Sequence, residues 1–391
     1  MFGAKNMTTI INPGIRSHVE PESANPTQLI AKFLDVLREQ DSTTRASGSS
    51  PATIRPEPLA PLSDLPLPFG VPARPNARWL APVQELGRGS FGVVMLTRDK
   101  KNRMHVAEKF IAPPKSPNDR DCFVRETQRE MSAALWEHKN LVKILWASWP
   151  TVDNPNVIIG MEYLAGGTLT ERMERKQGPW SLSATVHIIG QVLSALDYLQ
   201  RKHGIVHRDV KPENILFASH ALQSLKLGDF GTVVPIEHPD TKESIGTPGY
   251  IAPEVFNDSH SIEKCDVWGT GVILHQLATD DLSIVRFGRS KRPPLPVNLL
   301  LLQKFSRGID PTLLPFPDDK IALQVIAEKM LRSDPIKRWS ISRAHKAFQD
   351  LSKQESPLRV LPALVQAKQI QRPMGFEGNR HGVIPGIGAQ K

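Results

Sequence analysis

The chain has 391 residues, 40% of them hydrophobic and 23% charged, which is enough apolar surface for a sizeable core and excludes wholesale disorder. At about 150 residues per domain, that length allows two or three folding units, or one large two-lobed unit. Lys and Arg exceed Asp and Glu by 49 − 40 = +9, and two cysteines, Cys122 and Cys265, cannot staple a chain of this size; stability must come from burial, and a reducing compartment is expected.

Residues 1–79 hold 11 of the 34 prolines and are expected to form a mostly disordered arm. Its start lacks the long apolar run of a secretory leader, and Phe2 stands where myristoylation needs Gly. One segment, 26–39, places Leu29, Ile30, Phe33, Leu34 and Leu37 at helical spacing and suggests a short helix, either transient or docking into a groove. No run of about 18 apolar residues occurs, so no membrane span is expected. By region the net charge is 8 − 7 = +1 for the arm, 35 − 31 = +4 for residues 80–351 and 6 − 2 = +4 for residues 352–391. The excess is densest in the short tail, so nucleic acid is not expected as a partner. The basic tail and the arm are instead candidate docking segments, the tail for acidic partners.

Residues 80–351 carry almost all the regular pattern. Val93, Val94, Met95 and Leu96, then Val106, Ala107 and Phe110, predict antiparallel strands. A helix is expected over Arg125–Glu137. A second is expected from Ser181 to Lys202, where Leu182, Val186, Ile189, Leu193 and Leu196 mark a buried face. Strands first and helices after them predict an α+β protein with a small β-rich lobe, 80–164, and a larger helical lobe, 165–351.

Four motifs bear on chemistry. Gly87, Gly89 and Gly92, with Ser90 and Phe91 between them, form a G-x-G-x-x-G pattern that lets backbone amides approach phosphate. A dinucleotide loop would open a helix; here a strand-like run follows, which favours a hairpin lid over nucleotide phosphates. Seventeen residues past Gly92, Lys109 ends Val106-Ala107-Glu108-Lys109 and is placed to neutralise phosphate oxygens. Such a lysine needs a carboxylate partner, for which Glu130 is the choice and Glu126, one turn earlier, the fallback. His207, Asp209 and Asn214 stand between apolar Ile205, Val206 and Ile215, Leu216, Phe217. Asp209 can accept a hydroxyl proton, Lys211 can hold a moving phosphoryl group, and Asn214 can offer a carbonyl oxygen to a metal. Twenty residues past Asp209 comes Asp229-Phe230-Gly231, whose carboxylate suits Mg²⁺, a hard cation that prefers oxygen ligands.

Across about 80–351 the chain resembles a eukaryotic protein kinase of the serine/threonine class, because these elements and then Ala252-Pro253-Glu254 occur in that family's order. The resemblance implies the two-lobed kinase fold, ATP as phosphoryl donor with Mg²⁺, and protein Ser/Thr hydroxyls as acceptors. It implies ATP contacts at Leu86, Gly87, Gly89, Ser90, Phe91, Gly92, Val94, Ala107, Lys109, Leu216 and the hinge-like Met161, Glu162 and Leu164. Asp209, Lys211, Lys109 and Glu130 would be catalytic, and Asn214 and Asp229 would hold the metal. Glu254 resembles the partner of Arg338, and Asp266 the residue that steadies the catalytic loop. Lys211 and Gly246-Thr247-Pro248-Gly249-Tyr250 look like the Ser/Thr type, with Thr247 meeting Asp209 and Lys211. Leu227-Gly228 before Asp229 is similar to NIMA-related kinases among others, too short a likeness to fix a subfamily.

Three departures from that pattern stand out. Glu130 lies eight residues before His138 where nine is common, and Ala134 occupies a place usually filled by a bulkier apolar residue. Arg208 suggests control by a negative charge in the loop between Asp229 and Glu254. There Glu243 falls where many kinases are phosphorylated and either partly supplies that charge or is an ordinary solvated glutamate with Ser244 as the phosphosite; Thr241 also flanks it. Arg286 to Pro294 packs four cations into seven residues and reads either as a solvated loop or as an acidic-substrate or nuclear-import element. Cytoplasmic placement, with nuclear entry open, is the expectation. A nucleotide-binding scaffold without catalysis is the main competing class; a dual-specificity or small-molecule kinase is the third.

Overall fold

The chain divides into two units, Met1–Pro51 and Ala52–Lys391. The computed structural model describes residues 61–76, 80–89, 92–176, 178–237, 246–247, 249–256, 262–280 and 316–353, all within the second unit. The expected helix at 26–39, Ser90, Phe91, Thr241, Glu243, Ser244, the basic stretch 286–294 and the tail from 354 onward lie outside the described residues.

The alternating apolar runs near the start of the domain fold as expected into one antiparallel sheet. Strands β1 (Leu80–Gly89), β2 (Gly92–Asp99), β3 (Met104–Ile111), β4 (Ile144–Ser148) and β5 (Val157–Glu162) lie in the order β1-β2-β3-β5-β4. The glycine turn between β1 and β2 is sterically tight. Gly92 sits at φ +118°, and a Cβ there would lie 2.0 Å from the Phe110 carbonyl oxygen, so only glycine fits.

Helix α1 (Arg120–Ser132) begins and ends about five residues before the expected Arg125–Glu137. Two local bonds explain the shift. Ser116 caps the preceding turn by accepting from Asn118 N at 3.2 Å, which starts helical winding early. At the other end the Ser132 hydroxyl donates to Gln128 O at 2.7 Å, a back-bond that weakens the helix, and the chain tightens into a 3-10 turn over Ala133–Leu135.

The second lobe is helical: α2 (Leu169–Arg175), α3 (Leu182–His203), α4 (Cys265–Thr279), α5 (Ile321–Met330) and α6 (Ile341–Ser352). Ser181 caps α3 by accepting from Ala184 N, and Gly204 ends it in the left-handed conformation. At 22 residues α3 is long and apolar enough on average to match a membrane span, but its apolar face is packed inside the lobe with Ile188, Ile189, Val192 and Leu193 fully buried. Helix α4 is buried nearly all round. Short paired strands, β6 (Ile205–Val206) with β9 (Val234–Pro235) and β7 (Ile215–Phe217) with β8 (Leu225–Leu227), pack against α2 and α3. Residues 61–76, read from sequence as part of the Pro-rich arm, lie along the outer edge of β4. Ala73 pairs in parallel with Ala147, Arg74 N donates to Ala147 O and Ala147 N donates to Pro72 O, both at 2.9 Å.

Candidate active site

Lys109 is buried on β3, and its Nζ lies 2.8 and 2.9 Å from the two carboxylate oxygens of Glu130 on α1. It is also 3.1 Å from Asp229 Oδ1. The fallback Glu126 has a different partner: its Oε1 accepts from the Cys122 thiol on the same helix. Burial by itself would lower the Lys109 ammonium, but the charges of Asp229 and Glu130 outweigh it and hold the group above its ordinary value. Burial pushes the Glu130 carboxyl up, opposed by Lys109. Burial acts upward on Asp229 as the largest single influence, but the charge and hydrogen bond of Lys109, with the charges of Lys211 and His207, together lower it.

The missing residue before His138 and the small Ala134 have a common solution. The 3-10 turn over Ala133–Leu135 swings Trp136 inward, where it is 4% exposed and meets Phe230 edge-on with ring centroids 5.2 Å apart. Phe230 in turn packs edge-on against His207 at 5.8 Å. Bulk supplied two residues later thus fills the place that Ala134 leaves. Beyond Trp136, Leu227 N donates to Asn140 O at 2.8 Å and Val142 N to Leu227 O at 2.9 Å, tying the segment after α1 to the strand that leads into Asp229.

The loop after β6 carries Arg208 and Asp209, and Arg208 takes a positive φ of 68°. Asp266, at the start of α4, stabilises that turn by accepting from His207 N at 2.7 Å and Arg208 N at 2.8 Å. Burial pushes the Asp266 carboxyl up against the pull of His207 and these two N–H groups. Asp209, 2% exposed, is ringed by donors. Lys211 Nζ lies 2.6 Å from Asp209 Oδ2, Thr247 Oγ1 donates to Oδ1 at 2.8 Å, and Thr247 N donates to the same oxygen at 3.0 Å. Lys211 Nζ also donates to Thr247 Oγ1 at 2.7 Å. Asn214 Nδ2 donates to Asp209 O at 2.9 Å and Oδ2 at 3.1 Å, which turns the amide oxygen the other way. Gly228 N donates to Asn214 O at 2.9 Å, so Asn214 and Asp229 are held side by side through the backbone. Arg208 Nε donates to Thr232 O at 2.6 Å.

The remaining sequence candidates fall around this centre. Gly87 and Gly89 pair with Val94 and Gly92 across the β1–β2 hairpin, and Val94 pairs with Lys109. Ala107 is paired with Met161, Leu164 is buried, Leu216 is half-buried on β7, and Leu86 is exposed. The Glu162 side chain is engaged, accepting from Lys143 N and facing Lys226 Nζ, both at 2.7 Å. Glu254 and Arg338 form a buried two-pronged pair, with Arg338 Nη2 donating to Glu254 Oε2 at 2.7 Å. Sequence reasoning missed Trp136 and missed the role of Glu108, a carboxylate buried on the far side of β3 from Lys109. A charged residue in a strand otherwise bound for burial was the available signal.

The protein kinase domain family model matches residues 80–349. Calcium-dependent protein kinase 10 of Arabidopsis thaliana is 30% identical over 308 residues, covering 77% of this chain and 53% of that protein. Calcium-dependent protein kinase 4 of Plasmodium falciparum is 34% identical over 200 residues, 50% of this chain and 36% of that protein. Serine/threonine-protein kinase ATG1a of Arabidopsis thaliana is 31% identical over 261 residues, 65% of this chain and 38% of that protein. The chain spans about half or less of the length of these curated relatives. With the ordered motifs drawn together around Lys109 and Asp209, and with that match over 80–349, the chain belongs to the protein kinase family.

Proposed function

We propose that this chain transfers the γ-phosphoryl group of ATP to Ser and Thr hydroxyls of protein substrates. One observation carries the reading: Lys109, Glu130 and Asp229, the first two buried and the third half-buried, form a single ion cluster although they come from a strand, a helix and a loop far apart in sequence. Desolvating three charges is costly unless they act together. Lys109 contacts the α- and β-phosphates, and Glu130 holds its chain extended. An added Cβ at Gly87 would meet nothing within 4 Å, so packing does not demand that glycine. Close approach of the backbone to phosphate does.

Asp209 orients the acceptor hydroxyl and accepts its proton as the oxygen attacks the γ-phosphorus and the bond to the ADP oxygen breaks. Lys211, bridging Asp209 and Thr247, faces the transferring group and the acceptor. The Asp229 carboxylate and the Asn214 amide oxygen are hard oxygen donors of the kind Mg²⁺ prefers. That ion, when bound, neutralises phosphate charge. Positioning and electrostatics supply the catalysis. The Lys211–Thr247 contact and a relative named as a serine/threonine-protein kinase support Ser/Thr over Tyr. The competing scaffold reading rested on the short spacing around Glu130, and it loses that support with Glu130 at 2.8 Å from Lys109. Docking segments in the arm or tail, and cytoplasmic or nuclear placement, remain part of the proposal.

Labelled ATP and a mixed Ser/Thr and Tyr peptide library test it, with Asp209→Asn as the control. Label on Ser/Thr peptides that disappears in the variant is expected. Label on Tyr alone, or nucleotide binding without transfer, would overturn the reading.

A further inference from the structure

Glu108 is unusual for its place. It immediately precedes Lys109, where the family's V-A-I-K pattern has isoleucine. Successive strand residues point to opposite faces, so Lys109 and Glu108 sit on the two sides of one strand. Glu108 is 1% exposed, and a buried carboxylate must be met by donors and preferably by a cation. Its donors come from three places. Thr97 Oγ1 on β2 donates to Oε2 at 3.0 Å. Trp146 Nε1 on β4 donates to Oε1 at 3.4 Å. Arg74 donates through Nε to Oε1 at 2.7 Å and through Nη2 to Oε2 at 3.2 Å.

The route by which Trp146 reaches Glu108 is built into the register. Gly160 on β5 pairs with Glu108 on one side and with Trp146 on the other. A Cβ on Gly160 would lie 2.2 Å from Trp146 Nε1, so the indole lies flat over a residue that has no side chain. Arg74 belongs to the segment before β1. That segment is held to β4 by the Pro72, Ala73 and Arg74 backbone contacts, and by Trp149 Nε1 donating to Pro66 O at 3.0 Å. Pro72 and Pro75 suit an outermost edge, since proline has no N–H to offer a further strand. Val71 is buried against the same edge. The segment thus supplies a missing cation as well as a covering strand.

We propose that residues 61–76 form a clamp on the sheet, and that the Arg74–Glu108 pair positions the Lys109 strand for nucleotide binding. Arg74 is a positioning residue that touches no substrate. It acts through a carboxylate one peptide away from the phosphate-binding lysine. If Arg74 is removed, Glu108 is left buried without its counter-charge, and β3 must shift or twist to bring the carboxylate to water. That movement carries Lys109 with it. If Glu108 is replaced by the family's isoleucine, the need for Arg74 disappears.

The inference rests on the kinase reading, and the test separates the two. Initial rates over a range of ATP concentrations, on the full chain, give KM and kcat for each variant. Arg74→Ala is expected to raise KM for ATP by about fivefold or more, and Arg74→Lys, which keeps the charge but loses the fork, by about twofold. Adding Glu108→Ile to Arg74→Ala is expected to return KM to within about twofold of the unaltered protein. General loss of folded enzyme would lower the apparent kcat and leave KM alone. An unchanged KM in Arg74→Ala and Arg74→Lys overturns the clamp, as does a double variant no better than Arg74→Ala. Should Arg74→Ala fail to fold, the clamp stands on a raised KM in Arg74→Lys and a restored KM in the double variant, and falls if KM in Arg74→Lys is unchanged. Absence of ATP turnover in the unaltered protein overturns the kinase reading, and the clamp's positioning role with it.

Discussion

Asp209 shows how much of the chemistry depends on what surrounds one carboxylate. Thr247 and Lys211 bring an N–H, a hydroxyl and an ammonium within 3.0 Å of it, so the group is oriented and screened from bulk water. Asp209→Asn keeps the size and loses both the charge and the proton acceptor. It is expected to lower kcat about 10²–10³-fold or more, roughly 3–4 kcal/mol of barrier, with little change in KM for ATP. Steady-state kinetics check this. Glu130→Gln acts differently, since it loosens Lys109 and should raise KM for ATP as well as lower kcat. The ion cluster also has a definite pH sign. The Asp229 carboxyl is held below its ordinary value: burial pushes it up, but the charge and hydrogen bond of Lys109 and the charges of Lys211 and His207 together outweigh burial. Its contribution to stability is therefore complete above the unfolded carboxylate value of about 3.9 and is lost only as pH falls through the lower folded value. Asp229 is therefore not expected to titrate between pH 6 and 8, and Asp229→Asn should leave the shape of the melting-temperature profile over that range unchanged.

At the scale of elements, the end of α1 is decided by a side chain outside the helix. Trp136 is nearly buried, is stacked with His203 at 6.0 Å, and meets Phe230 edge-on. Its indole N–H has no acceptor among the described residues. Trp136→Ala should cost about 3–5 kcal/mol through the cavity it leaves. Trp136→Phe keeps the ring against Phe230 and removes the orphaned donor, so it should cost much less. Thermal unfolding of both variants checks the ordering, and equal losses would deny the packing role. The helix boundary expected from sequence was late by five residues for a related reason. Apolar periodicity runs on through Ala133, Ala134 and Leu135, but Ser132 bonds back to Gln128 and the winding tightens. Periodicity reports which face is buried and is blind to a change from one helix type to another.

Over the whole molecule, two buried groups outside the ion cluster govern how the second lobe survives stress. The Glu254–Arg338 pair joins the segment after Thr247 to the loop between α5 and α6, and the guanidinium also lies 5.1 Å from the Trp268 ring centroid. Arg338→Met leaves Glu254 buried without its partner and should cost about 3–5 kcal/mol. Equilibrium denaturation should show this as a lower midpoint with an unchanged slope. The second group is His203, whose ring nitrogens have no partner among the described residues. Burial, with a smaller push from Lys202, lowers it to about 4. The folded state therefore holds a neutral ring where the unfolded chain would be protonated. Stability is full above the unfolded value of about 6.5 and declines as pH falls from there toward 4. Allowing for partial solvation, the decline is about 0.5–1 kcal/mol per pH unit. His203→Phe should flatten the dependence of the melting temperature on pH between 6.5 and 4.5; an unaltered slope would assign the acid sensitivity elsewhere.

What the sequence by itself determined was the order and identity of the chemical groups. Gly87, Lys109, Asp209, Asn214, Asp229 and Glu254 were legible because each pairs a distinctive side chain with flanking apolar strands or turns at recognisable spacing. The α+β division was legible for the same reason, since strand and helix periods are local properties. Tertiary structure alone decided which carboxylate meets Lys109. Glu126 and Glu130 lie one turn apart on one face of the same helix, and the packing of the folded lobe gives Glu130 to Lys109 while Glu126 accepts from Cys122. It alone brought Trp136 to Phe230 across a shortened loop, and Arg74 to Glu108 across two strands and a glycine. Such contacts depend on the distance between elements that are remote along the chain, and no local pattern of residues encodes that distance.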